Sequence, residues 1–496
     1  MSLFAKKSIE QLMAESSETE KGLKRTLSGG SLIALGIGAI IGAGLFVRTA
    51  SAAAQNAGPS VTLGFIVAAI GCALAGLCYA ELSSSIPIAG SAYTYSYATM
   101  GELIAWIIGW DLILEYAVGA ATVGIAWSEY LNNLLVNVLH MSAIPYQWCH
   151  SPFEKLVDPA THEVLAHGMI NIPALAIVSL LTMLLIKGTQ ESAIVNGIIV
   201  IAKVSIVILI IIFGWSFINP ANHVPYIPPA STYVDHQGIS HNFGGIMGIL
   251  GAAGVVFFAF IGFDAVSTAA QEAKNPKRDM PIGILGSLAI CTVLYILFAH
   301  VLTGVASTED FRTTGKEASV SFAISKYMTG FGWLAKLVTV AILAGFSSVI
   351  LVMLLGQSRV FYSMSKDGLL PKAFSAIHPK YKTPYKASLF ILILVGLFAA
   401  FVPGDIVGDM TSIGTLFAFM LVCVAVIVLR KTNPELKREF KTPFVPFVPI
   451  LGVIVCGAMI FGLGWTNWLR LVVWLALGFI IYFGYSRKHS KLQNPK

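Results

Sequence analysis

The sequence predicts an all-α polytopic membrane protein on three observations: its composition, the length of its apolar runs and the placement of its basic residues. Of 496 residues, 56% are hydrophobic and 11% charged, whereas soluble domains carry about 25% charge. No single soluble core keeps that much apolar side chain from water. Runs near the ~20 residues needed to cross a bilayer recur along the chain. Twelve segments read as transmembrane helices: 31–54, 60–84, 99–137, 169–187, 192–218, 244–272, 281–306, 331–362, 387–402, 406–429, 447–464 and 467–486. Most of the 32 Lys and Arg residues fall in the termini and the even-to-odd loops, as with Lys274, Lys277 and Arg278. By the positive-inside rule both termini then face the cytoplasm, in a multi-pass protein of the cell membrane. The net charge of +7 is loop charge facing anionic lipid, and nothing in it points to nucleic acid.

Residues 1–28 form a polar, cytoplasmic N-terminal segment with no cleavable signal pattern, and 487–496 a short cytoplasmic tail. Within the first, SLFAKKSIEQLM sets Leu3, Phe4, Ile9, Leu12 and Met13 around Lys6 and Lys7. That pattern suits a helix lying on the inner leaflet and a disordered tail equally. Five of the six cysteines lie in apolar segments and Cys149 stands in an outer loop, so no disulfide framework is expected. The same loop carries His140, His150, His162 and His167. They read as solvated side chains, and no metal site is expected.

Segment 1 contains GIGAIIGAGLF, Gly36 to Phe46, with four glycines in nine residues. Each costs about 1 kcal/mol relative to Ala inside a helix, so the helix is weakest at mid-membrane. Segment 6 repeats the feature in GVVFFAFIGFDAVSTAAQE, around Gly262. Segments 3 and 8 are the longest, and each stands two places after a broken one. This spacing predicts repeats of five, segments 1–5 and 6–10 (residues 29–430), with segments 11 and 12 (residues 431–486) outside them. An odd repeat length inverts the second copy, and inverted repeats with paired breaks place a transport site between the breaks. A break at Gly42–Gly44 frees N–H groups suited to a carboxylate. It also frees carbonyls around Ile37 to Ile41, suited to an ammonium. Close helix packing through small residues is the competing reading of these glycines.

The stretches GIGAIIGAGLF, GWDLILEY (Gly109 to Tyr116), FFAFIGFDAVSTAAQEAKNPKRDMPIGI (Phe257 to Ile284) and GQSRVFYSMSKDGLLPK (Gly356 to Lys372) resemble amino-acid permeases. The superfamily is the amino acid–polyamine–organocation one, and the likeness is strongest to bacterial members of its cationic amino-acid transporter family. The resemblance implies the leucine-transporter fold, with 12 transmembrane helices, a 5+5 inverted repeat and helices 1 and 6 broken. It implies amino-acid uptake driven by the proton gradient, with no cofactor. It further implies a substrate site lined by Ile40, Gly42, Ala43, Gly44 and Leu45 of segment 1, Glu115 of segment 3, Phe258, Ala259 and Phe260 of segment 6, and Met353 of segment 8.

Ionisable side chains inside membrane segments are functional expectations, because a central lysine costs about 2.5–3.5 kcal/mol to insert. Lys203 stands deep in segment 5, far from either end. By the resemblance it reaches the inner half of segment 1, fills the space of the ion in sodium-coupled relatives, and couples transport to a proton. A structural lysine held by carbonyls is the plainer reading. Asp111 and Glu115, four apart, share a helical face and give segment 3 a polar lining. Asp111 serves equally as a structural partner for segment 5 or 10. Glu102, at the start of segment 3, reads first as a helix cap. Asp264, just after the break in segment 6, reads as a cap for the following half-helix or as partner to a cation on segment 1 or 3. Phe258 is implied as a gate over the substrate. Met353 stands where cation-selective members carry a smaller residue, which shortens the pocket and favours small neutral amino acids over lysine and arginine. Ala43 lacks the hydroxyl that some bacterial relatives place there.

These features predict a secondary carrier of small neutral amino acids, with cationic ones as further candidates, working by alternating access, its partners the substrate and the bilayer; no protein partner is indicated. An exchanger, or a non-transporting amino-acid receptor on the same fold, shares them. An enzyme is not expected and no catalytic residue is assigned. His300 is the one histidine well inside a segment, and no HExxH or GxSxG stands in one.

Overall fold

The computed structural model describes residues 3–8, 27–86, 91–157, 163–187, 193–235, 238–313, 319–381 and 383–494. The apolar segments all fold as helices. Among the described residues, eight helices are long and apolar enough to cross a membrane: Gly44–Ser85, Glu102–Val138, Ile198–Trp215, Gly245–Ser267, Pro276–Val305, Gly332–Lys366, Gly404–Thr432 and Trp465–His489. Gly29–Ile40, Ile172–Ile186, Tyr385–Phe401 and Phe447–Gly462 are shorter apolar helices. The first long helix joins the outer half of segment 1 to segment 2 through a tight turn at Gly58–Ser60. Ile201, Ile212, Leu397, Ile454 and Ile480 are exposed, while Glu81, Glu102, Asp111, Glu115, Lys203 and Asp264 are buried. That inversion of the soluble pattern is what a bundle solvated by lipid requires.

Segments 1 and 6 are both interrupted. The inner half of segment 1, Gly29–Ile40, ends at Ile41, which is extended at φ −72°, ψ 106°. Helical backbone resumes at Ala43 and continues through Gly44–Arg48. Segment 6 runs as Gly245–Val256, tightens into the 3-10 turn Phe257–Phe260, and is extended at Ile261 with ψ 135°. It resumes as the 3-10 helix Asp264–Glu272. Gly262 has φ 113°, where a side chain is strained and glycine is not.

The first break falls at Ile41–Gly42, slightly before the Gly42–Gly44 stretch expected from sequence. The reason is packing: Gly44 is already helical and touches segment 6. A Cβ there would lie 2.2 Å from Ala259 Cα, and one on Gly262 would lie 2.9 Å from Ala39 O. The glycines therefore do both things proposed for them, releasing the backbone from the helix and letting the two broken helices touch.

Glu102 is not a helix cap. Its carboxylate accepts hydrogen bonds from Tyr97 Oη (2.8 Å), Tyr482 Oη (3.1 Å), Gln493 Nε2 (2.7 Å) and Ser490 Oγ. It thus anchors the C-terminal tail beneath the bundle. Residues 3–8 dock on the same loop without forming a helix. The N–H groups of Glu102 and Leu103 donate to Ala5 O and Leu3 O at 3.0 and 3.1 Å, and Lys7 pairs with Asp367 at 2.8 Å. Ile9, Leu12 and Met13 of the amphipathic reading lie outside the described residues, as does His162.

The opposite face carries two hairpins. Strand β1 (Lys155–Val157) pairs antiparallel with β2 (Val164–His167), and β3 (Ser231–Val234) with β4 (Ser240–Phe243). The Arg312 guanidinium lies 4.3 and 4.4 Å from the ring centres of Tyr233 and Phe243. Its Nε donates to Ala54 O at 2.9 Å, which ties the second hairpin to segment 1.

Gly44→Ala is expected to destabilise the protein by at least the ~1–3 kcal/mol typical of overpacking, because backbone cannot yield as a side chain can. Gly332→Ala, whose added Cβ meets nothing within 4 Å, is expected to be neutral. Melting of the purified protein in detergent compares the two; equal melting temperatures would contradict the contact.

Candidate substrate site

The breaks bring opposite backbone ends together. In segment 1 the first hydrogen bonds of the outer half run from Leu45 and Phe46 N–H to Gly42 O, at 3.2 and 3.4 Å. Gly42, Ala43 and Gly44 therefore bear the donors of a helix start. Across the break the inner half ends in carbonyls. Gly38 O accepts from Lys203 Nζ at 2.9 Å and Ile40 O from Tyr295 Oη at 3.0 Å. Tyr295 Oη also lies 2.9 Å from Ala259 O in segment 6. One hydroxyl proton serves one carbonyl at a time, so Tyr295 of segment 7 is shared between the two broken segments. Sequence reasoning missed it, since a lone tyrosine in an apolar helix gives no signal until both breaks are placed around it.

Lys203 is buried, and its stem passes Gly345 of segment 8, where a Cβ would stand 2.8 Å from Lys203 Cε. The lysine thus crosses from segment 5 to segment 1 along a wall kept open by a glycine.

Asp264 Oδ2 accepts from Tyr116 Oη at 2.6 Å and Ser91 Oγ at 3.5 Å. It does not cap the second half of segment 6, whose start carries no side-chain cap hydrogen bond. Among the described residues, no cation pairs with it. Tyr116 thus brings segment 3 to the break, and its neighbour Glu115 is buried with neither carboxyl oxygen hydrogen-bonded among the described residues. Asp111 is buried, and neither of its oxygens has a hydrogen-bond partner among the described residues. No hydrogen bond joins it to segment 5 or 10.

Ile40, Ala43, Leu45, Phe258 and Ala259 are buried around the breaks. Val349 of segment 8 stands 3.2 Å from a Cβ placed on Gly42. One turn further, Met353 Sδ and Thr411 Cγ2 each stand 3.3 Å from a Cβ placed on Gly119. Segments 8, 3 and 10 meet there around a thioether. Phe260 packs against Phe65 and Tyr295, with ring centres 6.2 and 5.2 Å apart, so its ring lies with segments 2 and 7.

A cavity of about 430 Å³ leads from the hairpin face down to Ala43, past Val47, Arg48 and Ser51. Arg48 is buried and pairs with Asp405 at 3.0 Å and with Asp409. Ser51 Oγ and Gln55 Nε2 also donate to Asp405, at 3.1 and 3.3 Å, and Asn467 Nδ2 donates to Asp409 at 3.2 Å. The outer half of segment 1 is thereby held to segments 10 and 12. Sequence reasoning missed this cluster as well. Its signal was present: Arg48 and Asp409 stand inside segments 1 and 10, as Lys203 does inside segment 5.

Comparison with known proteins agrees with this architecture. The chain matches the family model described as amino acid permease over residues 27–474. It is 44% identical over 491 residues to the branched-chain amino acid permease BcaP of Bacillus subtilis (strain 168), covering 99% of each chain. It is 42% identical over 491 residues to the methylthioribose transporter of the same organism, again covering 99% of each. It is 35% identical over 446 residues to cationic amino acid transporter 9, chloroplastic, of Arabidopsis thaliana, covering 89% of this chain and 73% of that one. These relatives are transport proteins and not enzymes. With its apolar helices, its two helix breaks and a match that spans nearly its whole length, the chain belongs to the amino acid permease family of the amino acid–polyamine–organocation superfamily.

Proposed function

We propose that this permease is a secondary carrier that takes up small neutral amino acids with protons by alternating access. In this reading it has twelve membrane spans, segments 1–5 and 6–10 as inverted repeats, and both termini in the cytoplasm. The contact between the broken helices, Gly44 on Ala259 and Gly262 on Ala39, carries the reading. It sets helix-start donors beside helix-end carbonyls, and a zwitterion with both charges on one carbon bridges them. A neutral sugar thioether, as the name of one relative indicates, has neither charge to place there. The cavity that ends at Ala43 is then the outer vestibule, with Arg48, Asp405 and Asp409 holding its wall.

Coupling falls to Lys203. Its ammonium holds Gly38 O, and a neutral amine is the weaker donor. Loss of the proton therefore loosens the inner half of segment 1. Lys203→Ala is expected to abolish accumulation driven by a proton gradient in proteoliposomes while counterflow persists. Undiminished gradient-driven uptake in that variant would remove the coupling role.

Recognition of both charges makes amino-acid amides and decarboxylated amines poor competitors of uptake. Competition by these analogues as strong as by the parent amino acid would reduce the glycines to packing elements.

Size sets selectivity. Glu115 and Asp111 make the pathway acidic, which favours a cation, but both are buried, and the desolvation of a buried ion pair offsets most of its attraction. A clash with the Met353 thioether costs about 1–3 kcal/mol. Alanine and its aliphatic neighbours should therefore outcompete arginine, and Met353→Ser should extend the range toward arginine with little loss of alanine transport. A wild-type preference for arginine in direct competition would show the volume argument to be wrong.

A further inference from the structure

A groove of about 770 Å³ lies on the tail-bearing face, outside the substrate site. It runs between Ile33 of segment 1, the start of segment 7 and the loop before segment 11. Ile33, Ile282, Leu285 and Phe440 give it an apolar floor, and Lys277 and Arg278 stand at its rim. Both basic residues are exposed. Lys277 lies 3.6 Å from Glu439, which Lys437 also approaches at 3.5 Å. Asp279 is engaged by the N–H of Asn275 at 3.0 Å. Among the described residues, Arg278 forms no ion pair. With Lys274 beside them, the four cations outnumber the two carboxylates, so the rim is net positive.

The glycines of segment 7 leave this edge open. A Cβ on Gly283 would lie 2.6 Å from Leu32 Cβ, and one on Gly286 2.9 Å from Ile33 Cδ1. The inner half of segment 1 therefore rides directly on a side-chain-free strip, and the groove follows its margin. An apolar floor with a cationic rim at a membrane interface matches one chemistry, a phosphate that carries acyl chains. A soluble phosphate would use the rim and leave the floor wet. A zwitterionic lipid would bring its own ammonium against the rim.

The geometry points to a site for an anionic glycerophospholipid, its phosphate on Arg278 and Lys277 and one acyl chain along Ile33, Ile282 and Leu285. The inner-leaflet placement rests on the orientation proposed above, whereas the binding itself does not depend on transport. The test is native mass spectrometry of the purified full-length protein, titrated with phosphatidylglycerol, phosphatidylcholine or glycerol 3-phosphate. Wild type is expected to retain one phosphatidylglycerol through activation that strips phosphatidylcholine, and glycerol 3-phosphate should not compete. Lys277→Gln with Arg278→Gln should lower that retention about tenfold. Lys431→Gln with Lys488→Gln, an equal charge loss elsewhere on the chain, should not. Arg278→Gln alone, which breaks no ion pair among the described residues, repeats the comparison if the double variant melts early. Equal retention of both lipids, retention unchanged by the rim substitutions, an equal loss in the charge control, or displacement by glycerol 3-phosphate would each overturn the site.

Discussion

At membrane depth an unbonded backbone N–H or C=O has no water to turn to, and leaving one unsatisfied costs several kcal/mol. Two interrupted helices in one bundle multiply that problem, and much of the interior can be understood as its solution. Lys203 from segment 5 takes Gly38 O, and Tyr295 from segment 7 is shared between Ile40 O and Ala259 O. Each comes from a different place in the chain. Among the described residues no side chain accepts from the donors at Gly42–Gly44, and Ala43 lines the end of the cavity.

The polar residues away from the breaks follow a different rule. Glu81 is buried near the C-terminal end of segment 2 and receives Arg430 at 2.7 Å, Arg438 at 3.3 Å and the N–H of Thr442 at 2.7 Å. Glu102 receives four side-chain donors. At the other face Arg48 engages two carboxylates. Buried pairs of this kind add little net stability relative to apolar packing, yet breaking one is costly because it strands a charge. Their effect is to fix which elements stay together: segment 2 with the loop after segment 10, segment 3 with the C-terminal tail, and the outer half of segment 1 with segment 10.

Reading a residue from its neighbours in sequence failed where a distant element supplies the partner. Asp264 follows a break, but its carboxylate turns to Tyr116 and Ser91, and the helix start carries no side-chain cap. The same rule applied to Glu102 gave the wrong partner. Its proximity to a helix start was real, but the tail returns from Tyr482, Ser490 and Gln493 with competing donors. Arg48 was legible by the rule that found Lys203 and was passed over because it stands nearer the segment's end. Tyr295 was not legible, because its role depends on two carbonyls that lie in different broken segments.

Composition and periodicity by themselves determined that the chain is a helical membrane protein, where its apolar segments lie, and that segments 1 and 6 break at their glycines. Those properties follow from transfer free energy and backbone conformational freedom, which are set residue by residue. The tertiary structure alone decided that Gly44 meets Ala259, that Lys203 and Tyr295 finish the broken backbone, that Asp264 faces a tyrosine and a serine in place of a cation, and that Arg48 holds segment 10. Those are pairings between residues tens to hundreds of positions apart. Lipid supplies no competing hydrogen bonds, so each pairing is settled by which polar group the packed helices bring within reach.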